Sequence, residues 1–77
     1  MNKDYEFVRN VRFRLGMTVK EFARELDVDT KYIYRWEHED VIPDGTNILK
    51  ILRLCKKQGI SLDDLVFLYK VSFVGYK

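Results

Sequence analysis

Apolar and polar positions follow a helical rhythm along most of this chain. Tyr5, Val8, Val11, Arg12 and Leu15 recur at helical spacing, with Phe7 and Phe13 beside them, and predict a first helix from about Asp4 to Leu15. Gly16 follows, suited to the left-handed residue that ends a helix. Thr18-x-x-Glu21 is a capping-box pattern: the hydroxyl can accept from the Glu21 backbone N–H while the carboxylate reaches back. It opens a second helix that runs to Glu25 or Leu26, with Phe22, Ala23 and Leu26 on one face. Asp27 takes the turn. Asp29 can cap a third helix, Thr30 to about Glu37. Its seam of Val28, Ile33 and Trp36 leaves Thr30, Lys31, Tyr32, Tyr34 and Arg35 on the other side.

Asp40 to Gly45 reads as a loop, with Pro43 and Asp44-Gly45 as breakers. Asp44 or Thr46 can cap a fourth helix, for which Ile48, Leu49, Ile51, Leu52 and Cys55 supply a wide apolar face and Gly59 the end. Ser61-x-x-Asp64 opens a fifth helix through Leu62, Leu65, Val66 and Leu68. From Tyr69 the pattern changes: Tyr69, Val71 and Phe73 alternate with Lys70 and Ser72, a strand-like period of two. The expected architecture is all-α, a five-helix domain over residues 1–68 followed by a short apolar tail, 69–77.

Seventy-seven residues bound the chain to one small domain. Cys55 is its one cysteine, so no disulfide forms within the chain, and with a lone His38 no metal-ligand cluster is spelled out. No metal and no cofactor is expected. No run is long enough to span a bilayer, and Met1 to Arg14 is studded with charge where a leader would be apolar. The expectation is a cytoplasmic location, which the unpaired thiol suits. No Ser/His/Asp or Cys/His arrangement is present, and Glu21 and Glu25 form an ordinary exposed helical pair. No enzyme and no small-molecule substrate is expected.

Net charge is only +2, so bulk charge does not announce a partner. Its distribution says more. Eight Lys/Arg stand against six Asp/Glu up to Trp36; then Glu37, Glu39, Asp40 and Asp44 form an acidic patch. A basic face and a separate acidic one are therefore possible.

From about Val8 to Leu65 the chain resembles the lambda-repressor-like, or XRE-type, helix-turn-helix family. The matching residues are Arg12, Leu15-Gly16-Met17-Thr18, Phe22-Ala23, Leu26, Val28, Ile33, Trp36-Glu37, Pro43, Ile48, Leu52 and Gly59-Ile60-Ser61-Leu62-Asp63-Asp64-Leu65. The resemblance implies a DNA-binding domain of a transcriptional regulator, a repressor of bacterial or phage type, whose third helix enters the major groove of double-stranded DNA. It implies base contacts from Thr30, Lys31, Tyr32, Tyr34 and Arg35, and phosphate contacts from Thr18, Val19 and Lys20 at the start of the second helix. It also implies a structural ion pair between Arg12 and Glu37. One such helix covers few base pairs, so a homodimer is expected. The tail either helps it or packs back onto its own domain.

Two positions depart from the family pattern. Asp27 stands where Gly is usual. The His38-Glu39-Asp40-Val41-Ile42 stretch is acidic where relatives are often basic. An alternative is therefore a protein-interaction module on the same scaffold: an antitoxin, anti-repressor or adaptor. Arg9, Arg14 and Arg24 are expected on solvated helix faces, Trp36 and Cys55 in the core, and His38 in an exposed loop.

Overall fold

The computed structural model describes residues 3–39 and 41–70. They form five helices: α1 (Lys3–Leu15), α2 (Val19–Leu26), α3 (Thr30–His38), α4 (Gly45–Lys57) and α5 (Leu62–Lys70). No strand occurs among the described residues.

The helix boundaries have local causes. Gly16 stops α1 with φ +70, a conformation open to a residue without Cβ. At α2, Thr18 Oγ1 accepts from Glu21 N at 3.1 Å and Glu21 Oε1 accepts from Thr18 N at 2.9 Å. Such a cap contributes about 1 kcal/mol. Asp27 closes α2 in the left-handed region, φ 56 and ψ 49. An Asp tolerates this better than most residues. Val28 N then donates to Ala23 O at 3.0 Å. Asp29 Oδ1 accepts from Lys31 N at 3.0 Å and starts α3. Of the two candidate caps for α4, Asp44 is used: its Oδ1 accepts from Asn47 N at 2.9 Å. Thr46 therefore lies inside the first turn, and Gly45 is helical rather than the end of the loop. Ser61 Oγ accepts from Asp64 N at 3.1 Å while Asp64 Oδ2 accepts from Ser61 N at 3.4 Å, a reciprocal cap on α5.

The core gathers Val8 and Val11 of α1, Phe22, Ala23 and Leu26 of α2, and Ile33 and Trp36 of α3 with Ile51, Leu54 and Cys55 of α4. Each large aliphatic or aromatic side chain buried there contributes about 1.5–3 kcal/mol. Helix α2 packs on α3 and α4, and α1 packs on α3 and α5. The α2–α3 pair is thus braced from two sides, which holds their mutual angle. Asn10 Nδ2 donates to Leu68 O at 2.6 Å, and the Phe7 and Tyr69 rings meet edge to face at 5.7 Å.

The pattern and the fold disagree in three places. Tyr69 and Lys70 continue α5 instead of beginning a strand-like tail. Contacts with α1 at Leu68 and Tyr69 extend the helix past the expected boundary at residue 68. The remainder of that tail, 71–77, lies outside the described residues, as does Asp40. The apolar face foreseen for α4 is narrower: Ile51, Leu54 and Cys55 are buried, but Leu49 is 62% exposed and Leu52 is exposed too. On α5, Leu68 is buried while Leu62 is 75% exposed, with Val66 and Phe67 also open to solvent. Each helix meets its neighbours over a limited arc, and the sequence carries more apolar residues than that arc can cover. No helix among the described residues is long and apolar enough to cross a membrane.

Candidate nucleic-acid interface

Helix α3 is anchored from behind and bare in front. Ile33, Trp36 and Glu37 are buried, Val28 is half-buried beneath the turn, and Lys31, Tyr32, Tyr34 and Arg35 are exposed. Thr30 is half-buried in the first turn. Four of the five residues expected at the groove are therefore open to solvent, and the fifth is partly so. Tyr32 and Tyr34 are 41% and 52% exposed, so each ring has one side on the protein and one in water. The Tyr34 ring lies nearly parallel to that of His38, 6.1 Å away. His38 is the last residue of α3, not part of the loop. The aromatic pairing and the Glu39 N–H donating to Arg35 O at 3.0 Å carry the helix that far.

At the start of α2, Lys20 is exposed, Thr18 is exposed and Val19 is half-buried. The first N–H groups of a helix have no intrahelical acceptor and sit at its positive end. Here Thr18 N is taken by the Glu21 carboxylate and Glu21 N by the Thr18 hydroxyl. The N–H groups of Val19 and Lys20, with the Lys20 ammonium, remain for an anion.

The angle between these two elements is held by Arg12. Its Nε donates to Glu37 Oε2 at 2.6 Å, its Nη2 to Glu37 Oε1 at 2.8 Å, and its Nη1 to Met17 O at 3.0 Å. One guanidinium thus ties α1 to the end of α3 and to the residue before the α2 cap. Their side chains are 13% and 1% exposed, so the pair is scaffold and does not face the groove. The hydrogen bonds to Glu37 hold the Arg12 guanidinium above its ordinary pKa, against the opposing effect of burial.

Arg9 was expected on a solvated face, but it is half-buried and its Nη2 donates to Glu37 O at 3.0 Å. It stands three residues before Arg12 on the same face of α1. That spacing was the available signal. Arg14 is solvated, with a loose contact to Asp64 at 3.9 Å, and Arg24 is exposed. Burial pushes the Cys55 thiol up to about 11, which keeps it neutral in the core. The α3–α4 loop presents Glu39, Val41, Ile42 and Asp44 to solvent, a surface that repels phosphates.

Two helices crossing through a left-handed turn at Asp27, with the second helix polar and cationic on its free side, define a helix-turn-helix protein. A family model described as helix-turn-helix matches residues 8–65. The chain belongs to this XRE-type, lambda-repressor-like helix-turn-helix family, a family of DNA-binding domains and not of enzymes. No curated protein and no solved structure matches it.

Proposed function

We propose that this chain is a sequence-specific transcriptional regulator that reads the DNA major groove with α3. Lys31 and Arg35 supply the base-reading donors. The planar Arg35 fork suits guanine O6 and N7, and Lys31 does similar work as a point charge. Thr30, Tyr32 and Tyr34 complete the groove-facing surface. Thr18, Val19 and Lys20 set the register on a phosphate. The observation that carries this reading is the bare cationic side of α3 opposite the buried Ile33 and Trp36. The regulator works by occupancy: bound protein blocks or recruits polymerase.

Selection of bound sequences from random duplex DNA at fixed salt tests the proposal. A preferred sequence is expected, and Lys31→Ala or Arg35→Ala then lowers affinity for it by about 1–3 kcal/mol each. Lys20→Ala weakens all duplexes alike and flattens the salt dependence. Duplex binding untouched by the α3 substitutions refutes the groove reading.

The working form on DNA is a homodimer across two half-sites about 34 Å apart. The exposed Leu62, Val66 and Phe67 of α5 support this, being more apolar surface than one short helix ordinarily leaves in water. Sedimentation of the chain with and without 71–77 separates a dimerising tail from one that serves its own domain. The same monomer mass in both dismisses the dimer role.

The exposed Glu39, Val41, Ile42 and Asp44 favour a second reading, a protein-interaction module such as an antitoxin, anti-repressor or adaptor. It is distinguished by loop substitutions that abolish function while DNA affinity stays intact.

A further inference from the structure

We infer that Tyr32 is a positioning residue of α3: its ring, braced on the buried Trp36, holds Lys31 and Arg35 as one pre-set pair that reads guanines no more than two base steps apart. The inference about DNA rests on the groove reading above. The brace itself is a property of the free protein.

The family resemblance implies a direct base contact for Tyr32. The geometry gives the ring another task. Lys31 Nζ lies 5.5 Å and Arg35 Cζ 6.0 Å from the centroid of the Tyr32 ring. Both are within the reach at which an aromatic face attracts a cation, about 6 Å. The ring in turn lies 6.5 Å from that of Trp36, tilted by 38°, and Trp36 is core. A continuous path therefore runs from the hydrophobic core through one half-exposed ring to two cationic heads.

Among the described residues, no carboxylate is ion-paired with either cation. Neither the Arg12–Glu37 nor the Arg14–Asp64 ion pair involves Lys31 or Arg35. The Asp29 carboxylate beside them accepts from the Lys31 backbone N–H instead. Both side chains have long stems that are mobile in water and must be ordered on binding. Attraction to the ring orders them beforehand. Unlike a salt bridge, it uses the charge without capping each N–H with an acceptor, so the Arg35 fork stays available for O6 and N7.

The brace also limits what the pair can read. Residues four apart stand about 6 Å along a helix axis. Base pairs stack about every 3.4 Å. Two cations gathered on one ring therefore reach guanines at neighbouring positions or one apart.

The test compares wild type with Tyr32→Phe and Tyr32→Leu. In free protein, the Lys31 ε-methylene and Arg35 δ-methylene protons should show upfield ring-current shifts by NMR. These shifts persist in Tyr32→Phe and vanish in Tyr32→Leu. On the duplex selected by wild type, Tyr32→Phe should bind within about threefold of wild type and Tyr32→Leu about tenfold more weakly. The Leu effect should shrink in an Arg35→Ala background, because the brace then has less to hold. The selected duplex should carry two guanines at adjacent positions or one apart in each half-site.

Absent ring-current shifts in wild type overturn the brace. So does a Phe variant as weak as the Leu variant, which would make the hydroxyl the working group, or full additivity with Arg35→Ala. If wild type prefers no duplex, the groove reading falls with its guanine corollary, while the NMR comparison still decides whether the ring holds the cations.

Discussion

Replacing Arg12 by Met removes the one side chain that satisfies the Glu37 carboxylate while leaving most of its volume in place. Glu37 is 1% exposed and loses both charge-assisted hydrogen bonds, at 2.6 and 2.8 Å. Met17 O loses its donor as well. Breaking a buried pair from one side strands an uncompensated charge and costs about 3–5 kcal/mol. A domain of this size has about 4–12 kcal/mol in all, so the substitution removes from about a quarter of the stability to all of it. Urea unfolding followed by circular dichroism at low temperature measures the loss. The companion variant Arg12→Met/Glu37→Leu removes both charges, and most of the lost stability should return. Because the pair faces the interior, the double variant should also retain the DNA preference of wild type. A loss under about 1 kcal/mol for Arg12→Met would refute the reasoning. A double variant no more stable than the single one would refute it equally.

Other outcomes follow from single positions. Asp27 holds φ 56; a β-branched residue there is strained, so Asp27→Val should lower stability by about 1–2 kcal/mol while Asp27→Gly is tolerated, as thermal melts will show. Cys55 carries a thiol raised to about 11 from an ordinary 9.0. Between these values the unfolded chain releases the proton first, so the stability Cys55 contributes is whole below pH 9 and declines as pH rises towards 11. The stability gap between wild type and Cys55→Ala should therefore narrow by about 2 kcal/mol from pH 8 to pH 10.5; an equal gap at both pH values would count against a buried neutral thiol.

Much of the fold was legible because it is written in short-range chemistry. The Thr18–Glu21 and Ser61–Asp64 caps, the left-handed Gly16 and the Asp29 cap each need only residues within three or four positions. The face of α3 was legible for the same reason: helical spacing alone puts Ile33 and Trp36 on one side and Lys31 and Arg35 on the other. The order of these elements carried the family resemblance, which the match over residues 8–65 bears out.

What the sequence determined by itself was therefore where helices start and stop, and which side of α3 is cationic. Only the tertiary structure decided which apolar residues are used. Leu49, Leu62 and Val66 follow the helical period as well as Ile51 and Leu68 do, yet stay in water. It also decided that Arg9 joins Arg12 on Glu37 and that α5 runs on through Tyr69. Periodicity specifies a face, but burial requires a neighbour on that face. Which neighbour arrives is set by packing between segments far apart in the chain.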